Sequence, residues 1–253
     1  MTRPAARMIA VASGKGGVGK TWFAITLAHA LSLRGRRVLL FDGDLGLANV
    51  DIQLGLAPRH DLGAVVAGRA SLAAAITVHP AGFGVLAGSS GSGTLSALDP
   101  AALERLLESL RQLAAGYDDV VLDLGAGLDR SVRRMAAFAD TLLVLATDEP
   151  TSLTDAYAVL KLHAADQAGA RPHGGGPAVR VVVNQAASAA AGQRTFATLA
   201  GACARFLGGA PALGGVIRRD EQVRQAIRRQ TPLLQRAPAS PAALDVMALA
   251  QSL

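Results

Sequence analysis

The chain has 253 residues, of which 51% are hydrophobic and 17% charged, and its formal net charge at pH 7 is +6. This apolar content excludes an intrinsically disordered chain, and the length suffices for one large α/β domain over residues 1–253. The single cysteine, Cys203, excludes an internal disulfide and a cysteine-based cluster, and we expect it to be buried on a helix.

Short apolar strands alternate with longer helical segments along the chain, which indicates βαβ units. The predicted strands are, in order, MIAVAS, RVLLFDGD, GFGVLA, DDVVLDL, DTLLVLAT, AVRVVVNQ and GGVIR. Helices are predicted over residues 20–33, 100–115, 131–137, 151–166, 191–206 and 220–229, and a last helix ends the chain. The sequence therefore predicts an α/β fold with a mainly parallel, twisted sheet and helices on both faces.

A glycine-rich loop, SGKGGVGKT, lies between the first strand and the first helix. Glycines let the backbone approach phosphates, Lys20 is placed for the terminal phosphates, and Thr21 supplies a hydroxyl for Mg²⁺. The strand-loop-helix context predicts a nucleotide site. The candidate binding residues in the loop are Gly14, Lys15, Gly16, Gly17, Val18, Gly19, Lys20, Thr21 and Trp22.

The loop holds one lysine more than the phosphate-binding pattern requires. The chain contains 22 arginines but only three lysines, Lys15, Lys20 and Lys161. Arginine cannot replace a compact ammonium that must fit among phosphate oxygens, whereas on an open surface the two residues often exchange. We therefore expect both loop lysines to have chemical roles.

Carboxylates end two of the predicted strands. Asp42 and Asp44 end the second strand, and Asp123 lies at the end of another, in VVLDL, before glycines that would let a loop move. The carboxyl ends of strands in an open α/β sheet meet the first loop, so these acids are candidates for a magnesium shell and for positioning a water. Asn184 ends VVVN at the same edge, where its amide either reads an adenine edge or forms a turn.

Several other classes of site and location are not indicated. Histidine, cysteine and acidic residues do not cluster at zinc-site spacing, and no Ser/His/Asp arrangement stands out. No stretch reaches the roughly 18 uninterrupted apolar residues of a membrane span, and the N-terminus lacks the apolar segment and cleavage site of a secretory signal. We expect a cytoplasmic protein.

Two stretches taken together, SGKGGVGKT at residues 13–21 and DGDLGLANVDIQLGL at residues 42–56, carry a family resemblance. With them the chain resembles the MinD/ParA family of deviant Walker ATPases, and within it the flagellar-number branch called FlhG or FleN. The resemblance extends to LDLGAGLDRSV, TDEPTSLTDAYAVLK, VVVNQ and GGVIRRDEQVRQAIRRQTPLL. It implies a slow ATP hydrolase that acts as a molecular switch and controls flagellar number or placement.

The resemblance also implies roles for individual residues. In such proteins two subunits close face to face around two ATP molecules, and the extra lysine, here Lys15, crosses to the partner's nucleotide. By the same matching Asp44 positions the attacking water and Glu149 approaches the partner's nucleotide. The remaining implied ligands are Lys20 and Thr21 for phosphate and Mg²⁺, Asp42 and Asp123 for the magnesium shell and switches, and Asn184 for adenine.

The chain departs from the family pattern at three places. Leu124 stands where relatives usually carry a small hydroxyl residue, and Arg218 stands where they commonly have proline. The chain ends at LDVMALAQSL without a basic amphipathic tail, so we do not expect membrane attachment through such a tail. The N-terminus also lacks the extension with which longer FlhG proteins activate the GTPase FlhF, although an FlhF-like or other flagellar partner remains open.

The segment RRDEQVRQAIRRQ supports an alternative function. Arg224 and Arg228 share one helix face, and Arg218, Arg219 and Arg229 lie nearby, so a ParA-like positioning ATPase that binds DNA is the second hypothesis. A solvated arginine face is the simpler interpretation. An iron–sulfur carrier on the same fold is disfavoured because a paired cysteine motif is missing.

Overall fold

The computed structural model describes residues 5–88, 98–170 and 177–253. The strands of these residues are β1 Arg7–Ser13, β2 Val38–Gly43, β3 Ile76–Val78, β4 Gly84–Leu86, β5 Asp119–Ala126, β6 Thr141–Ala146, β7 Ala178–Ala186 and β8 Ala212–Arg218. They form one sheet in the order β3-β4-β2-β5-β1-β6-β7-β8. Every pairing is parallel except that of β3 with β4. The predicted mainly parallel sheet is confirmed.

Helices connect the strands and lie on both faces of the sheet. They are α1 Lys20–Ser32, α2 Val50–Leu54, α3 Leu62–Val66, α4 Pro100–Ala114, α5 Arg130–Phe138, α6 Pro150–Ala170, α7 Ala189–Leu207, α8 Glu221–Arg228, α9 Leu233–Arg236 and α10 Pro241–Ser252. Each strand and helix predicted from the sequence is present, with ends that differ by a few residues. The sequence did not reveal β3, α2, α3 and α9, because elements of three to five residues are too short to show a period.

The core has one apolar layer on each side of the sheet. On one side α1 is buried all round over its first three turns, because it is enclosed by the sheet, α2, α9 and α10. On the other side α4, α5, α6 and α7 cover the sheet. Cys203 lies on α7 with 1% of its surface exposed, as predicted, and burial raises the pKa of its thiol. No helix among residues 5–88, 98–170 and 177–253 has the length and apolar character needed to cross a membrane.

A buried histidine on α1 makes the fold sensitive to acid. His29 is 2% exposed and lies 6.0 Å from the ring of Phe83, which stacks on His79 at 5.1 Å. Burial, followed by the neighbouring His79, lowers the pKa of His29 to about 4. The folded protein therefore keeps this imidazole neutral at pH values where the unfolded chain protonates it.

We expect this histidine to contribute stability at neutral pH that is lost as the pH falls from about 6.5 to about 4. A pKa lowered from 6.5 to about 4 corresponds to about 3 kcal/mol of unfolding free energy across that window. Thermal unfolding at several pH values should show a shallower acid slope in His29→Leu than in the wild-type chain. Equal slopes in the two proteins would contradict the prediction.

Candidate functional site

The glycine-rich loop joins β1 to α1 at the carboxyl edge of the sheet. At Gly14 the loop presses on the first turns of α6, because a Cβ there would lie 2.4 Å from the carbonyl oxygen of Asp155. Gly16 and Gly17 are exposed, and a Cβ at either position would meet nothing within 4 Å. The loop is therefore fixed at its beginning and open toward solvent in its middle.

The end of β7 supports the second half of the loop. The Nδ2 atom of Asn184 donates to the carbonyl oxygen of Val18 at 2.8 Å. The Nε2 atom of Gln185 donates to the carbonyl oxygen of Gly17 at 3.4 Å. Gly19 has a φ of 86°, and a Cβ there would lie 2.7 Å from Asn184 Nδ2, so only glycine fits. Gln185 is not among the predicted site residues, although a polar pair that ends an apolar strand is a usable signal. The contact of Asn184 with adenine remains a prediction.

The first turn of α1 faces the open part of the loop. Lys20, Thr21 and Trp22 occupy this turn, where backbone N–H groups lack carbonyl partners within the helix and the helix dipole favours an anion. The side chain of Trp22 is only 5% exposed and packs in the apolar core beneath the loop. Trp22 can therefore meet a ligand only through its main chain.

Lys20 is paired with a buried carboxylate at the neighbouring strand end. Its Nζ atom lies 3.1 Å from Asp123 Oδ1, and the two side chains are 8% and 1% exposed. Thr21 lies near the same carboxylate. Asp123 Oδ2 is buried and finds no hydrogen-bond partner among the described residues. Burial raises the pKa of Asp123, and Lys20, followed by Thr21, opposes that effect.

Asp42 lies opposite Asp123 in the register of β2 with β5. Burial, and then the nearby Asp123, raise the pKa of Asp42 to about 7. Its Oδ2 atom accepts hydrogen bonds from the N–H groups of Asn49 and Val50, each at 3.0 Å. Two buried carboxylates thus approach one another, and their mutual repulsion is what a cation would relieve.

Asp44 begins the loop that follows β2. Its Oδ1 atom accepts from the N–H groups of Gly46 at 3.2 Å and Leu47 at 2.9 Å. A Cβ at Gly125 would lie 3.4 Å from the same oxygen, so Asp44 is beside the loop after β5. The next residue back, Leu124, is fully buried in the apolar core. The loops that follow β2 and β5 therefore meet at Asp44.

Lys15 contacts the beginning of α6. Its Nζ atom lies 2.6 Å from Glu149 Oε2 and 3.1 Å from Thr151 Oγ1. The two charged side chains are 38% and 62% exposed, and the hydrogen bond from Lys15 lowers the pKa of Glu149. A solvent-exposed pair of this kind contributes little to stability, so it can exchange for another partner at little cost.

Arg218 closes the turn between β8 and α8. Its guanidinium donates to both carboxylate oxygens of Asp245 on α10, at 2.9 and 2.8 Å, and its main-chain N–H donates at 2.9 Å. This ion pair fixes the turn and removes Arg218 from the basic face. The other arginines of that segment, which are exposed, are Arg219, Arg224, Arg228 and Arg229.

Oxygen atoms of Thr21, Asp42 and Asp123 fit a magnesium ion that is completed by a nucleotide. Within the described ranges, no group of three or more His, Cys, Asp or Glu side chains can hold a metal alone. Mg²⁺ typically takes one or two carboxylates together with substrate phosphates and waters. The unpartnered Oδ2 of Asp123 beside Asp42 is a suitable position for that cation.

A parallel sheet whose first strand leads through a glycine-rich loop to a buried lysine and a helix N-terminus defines a P-loop nucleotide-binding protein. Residues 9–233 match the family described as the CobQ/CobB/MinD/ParA nucleotide binding domain. The chain belongs to this family, as its sequence predicted.

Three similar proteins show how far the likeness extends. The antiactivator FleN of Pseudomonas aeruginosa is 40% identical over 245 residues, which cover 97% of this chain and 85% of FleN. The cell division ATPase MinD of Pyrococcus furiosus has a TM-score of 0.80 and 27% identity, with 97% of each chain covered. MinD of Pyrococcus horikoshii, solved in complex with Mg-ADP, has a TM-score of 0.80 and 26% identity, covering 98% of this chain and 95% of that one.

Proposed function

We propose that residues 1–253 form one ATPase domain that hydrolyses ATP slowly and switches between a monomer and an ATP-bound homodimer. The buried Lys20–Asp123 pair at the open phosphate loop is the observation that carries this proposal. The output is control of flagellar number or placement, which the similarity to FleN over nearly the whole chain supports. An FlhF-like GTPase or another flagellar regulator is the proposed partner.

In this proposal, different residues of the site bind the phosphates, the Mg²⁺ ion and the adenine. Asp123 holds the ammonium of Lys20 in place before the nucleotide arrives, so this cation is already oriented toward the terminal phosphates. Thr21, Asp42 and Asp123 hold Mg²⁺, which neutralises phosphate charge when it is bound. Asn184 and Gln185 fix the loop main chain, and the proposed adenine site lies on their side of the loop.

Lys15 is the residue that makes the proposed activity depend on dimerisation. In a single chain its ammonium is paired with Glu149 at an exposed position. The phosphates of a nucleotide in a partner subunit carry more negative charge than one carboxylate, so Lys15 exchanges Glu149 for them when two subunits close. Glu149 then lies beside the partner's nucleotide. Asp44, where the loops that follow β2 and β5 meet, orients the attacking water.

We expect ATP with Mg²⁺ to raise the thermal unfolding midpoint of the wild-type chain, and GTP to raise it less. Lys20→Ala should weaken ATP binding by at least about tenfold, since a charge-assisted hydrogen bond contributes about 1.5–3 kcal/mol. The single tryptophan, Trp22, lies next to the loop and can report binding by its fluorescence. Lys161→Ala, which removes an exposed lysine of α6, is the control. Unchanged ATP affinity in Lys20→Ala would show that the loop is not the site.

A ParA-like positioning ATPase that binds DNA is the second candidate function. The exposed guanidinium groups of Arg219, Arg224, Arg228 and Arg229 on and beside α8 favour it, although Arg224 lies 3.6 Å from Glu221. Binding of the ATP-loaded protein to duplex DNA without sequence preference, weakening as salt rises, would support this candidate. If the ATP-loaded protein did not bind DNA at low salt, the flagellar function would be favoured. Flagellar genes beside the coding sequence would favour it as well.

A further inference from the structure

The short helix α2 connects the candidate magnesium site to α8. It has five residues, fewer than a helix needs to persist alone, so its position depends on what holds its two ends. At the N-terminal end, the N–H groups of Asn49 and Val50 donate to the carboxylate of Asp42. A shift of α2 along its axis would therefore move or rotate the Asp42 carboxylate.

Gln230 holds the other end of α2. Its Nε2 atom donates to the carbonyl oxygen of Ile52 at 2.6 Å. The side chain packs closely on the helix terminus, because a Cβ at Gly55 would lie 3.2 Å from Gln230 Cβ. Val50 and Leu54 lie in the same apolar cluster as residues of α8 and α9, so the amide contact lies at the edge of a packed interface.

Gln230 has a backbone conformation that glycine usually adopts, so the presence of glutamine at this position calls for an explanation. The N–H of Gln230 donates to the carbonyl of Ile227, and that of Thr231 donates to the carbonyl of Ala226, both at 3.1 Å. These bonds end α8 with a left-handed residue, a position that glycine usually fills, yet Gln230 occupies it at a φ of 50°. Glycine would satisfy the backbone, but only a long amide side chain also reaches α2.

We propose that Gln230 is a positioning residue for the magnesium site: by holding the C-terminal end of α2, it sets the orientation of Asp42 through the two N–H groups at the N-terminal end. The inference rests on the proposed function, because Asp42 is assigned there to Mg²⁺. It also links α8, which carries the exposed arginines, to the loop that follows β2. Occupancy of the metal site and the position of α8 are therefore coupled.

Two substitutions separate the amide contact from the backbone conformation. Gln230→Gly supplies the residue that the left-handed position favours but removes the amide, and Gln230→Asn tolerates the same conformation but is too short to reach Ile52. Gln222→Asn makes the same shortening in the first turn of α8 and is the matched control. A purely structural role predicts that Gln230→Gly leaves metal binding unchanged.

We expect both Gln230 variants to raise the Mg²⁺ concentration for half-maximal ATP binding by about tenfold, as is typical when support behind a metal ligand is lost. ATP affinity in EDTA and the unfolding midpoint without nucleotide should stay at wild-type values in Gln230→Gly. In the nucleotide-free protein, hydrogen exchange at residues 51–55 should be faster than in the wild type and in Gln222→Asn.

The inference would be overturned if both Gln230 variants showed the wild-type Mg²⁺ dependence of ATP binding and the wild-type rate of hydrogen exchange. The proposed function would still stand, provided that Lys20→Ala binds ATP more weakly than the wild type. If the ATP affinity of the wild-type chain did not depend on the Mg²⁺ concentration, the proposed function would be overturned, and the inference with it. A variant that changes only the unfolding midpoint would show a structural role and would also contradict the inference.

Discussion

Lys15→Ala should bind ATP almost as well as the wild-type chain but should neither dimerise nor hydrolyse it. The reason is that Lys15 contacts Glu149 and Thr151 at the beginning of α6, whereas Lys20 already supplies a cation to the loop's own nucleotide. A cation supplied in trans to phosphoryl transfer raises the rate by about 10³ to 10⁵. The expected loss is therefore about 4–7 kcal/mol of transition-state stabilisation.

Light scattering with ATP and Mg²⁺ measures the dimer, and phosphate release measures the turnover. Because the expected wild-type turnover is slow, the assay can show only part of this loss. Lys161→Ala again serves as the control, because it removes an exposed lysine of α6. If Lys15→Ala binds ATP as weakly as Lys20→Ala, Lys15 is a ligand of its own subunit's phosphates. A dimeric Lys15→Ala would equally exclude the role in trans.

The parts of the site that lie at the ends of strands could be predicted from the sequence. Parallel strands bring their carboxyl ends to one edge, so the glycine loop after β1 fixes where Asp42 and Asp123 must meet it. The structure brings Lys20 and Asp123 together as this reasoning requires. The lysine-poor composition likewise indicates a chemical role for Lys15.

The supports of the site could not be predicted, because they join residues that are far apart in the chain. Asn184 reaches the carbonyl of Val18 across 166 residues, and Gln230 reaches that of Ile52 across 178. Both contacts end on main-chain oxygens, which every residue carries, so no pattern of side chains marks the acceptor. The Asp245 that holds Arg218 is equally unmarked in the sequence, so the sequence alone places Arg218 with the exposed arginines.

Two loop segments, which follow β2 and β5, place Asp44 where one carboxylate can determine how long the proposed dimer persists. Asp44 is held by N–H groups of its own turn and lies beside Gly125 of the second segment. A nucleotide that draws these segments together would move Asp44 with them. Lys15 lies on the opposite side of the phosphate loop, at α6, so loss of Asp44 leaves the trans cation in place.

Asp44→Asn should therefore bind ATP and form a dimer that does not dissociate, because the amide oxygen can still accept the N–H groups of Gly46 and Leu47 but carries no charge to orient and activate a water. Loss of such a group lowers hydrolysis by about 10²- to 10⁴-fold.

Asp44→Ala should also lose hydrolysis, and any additional drop in its unfolding midpoint measures the turn contacts alone. Light scattering should show a stable dimer for Asp44→Asn with ATP and a monomer for Lys15→Ala under the same conditions. Wild-type phosphate release by Asp44→Asn would remove Asp44 from the proposed mechanism, and a strictly monomeric Asp44→Asn with bound ATP would remove the trans lysine.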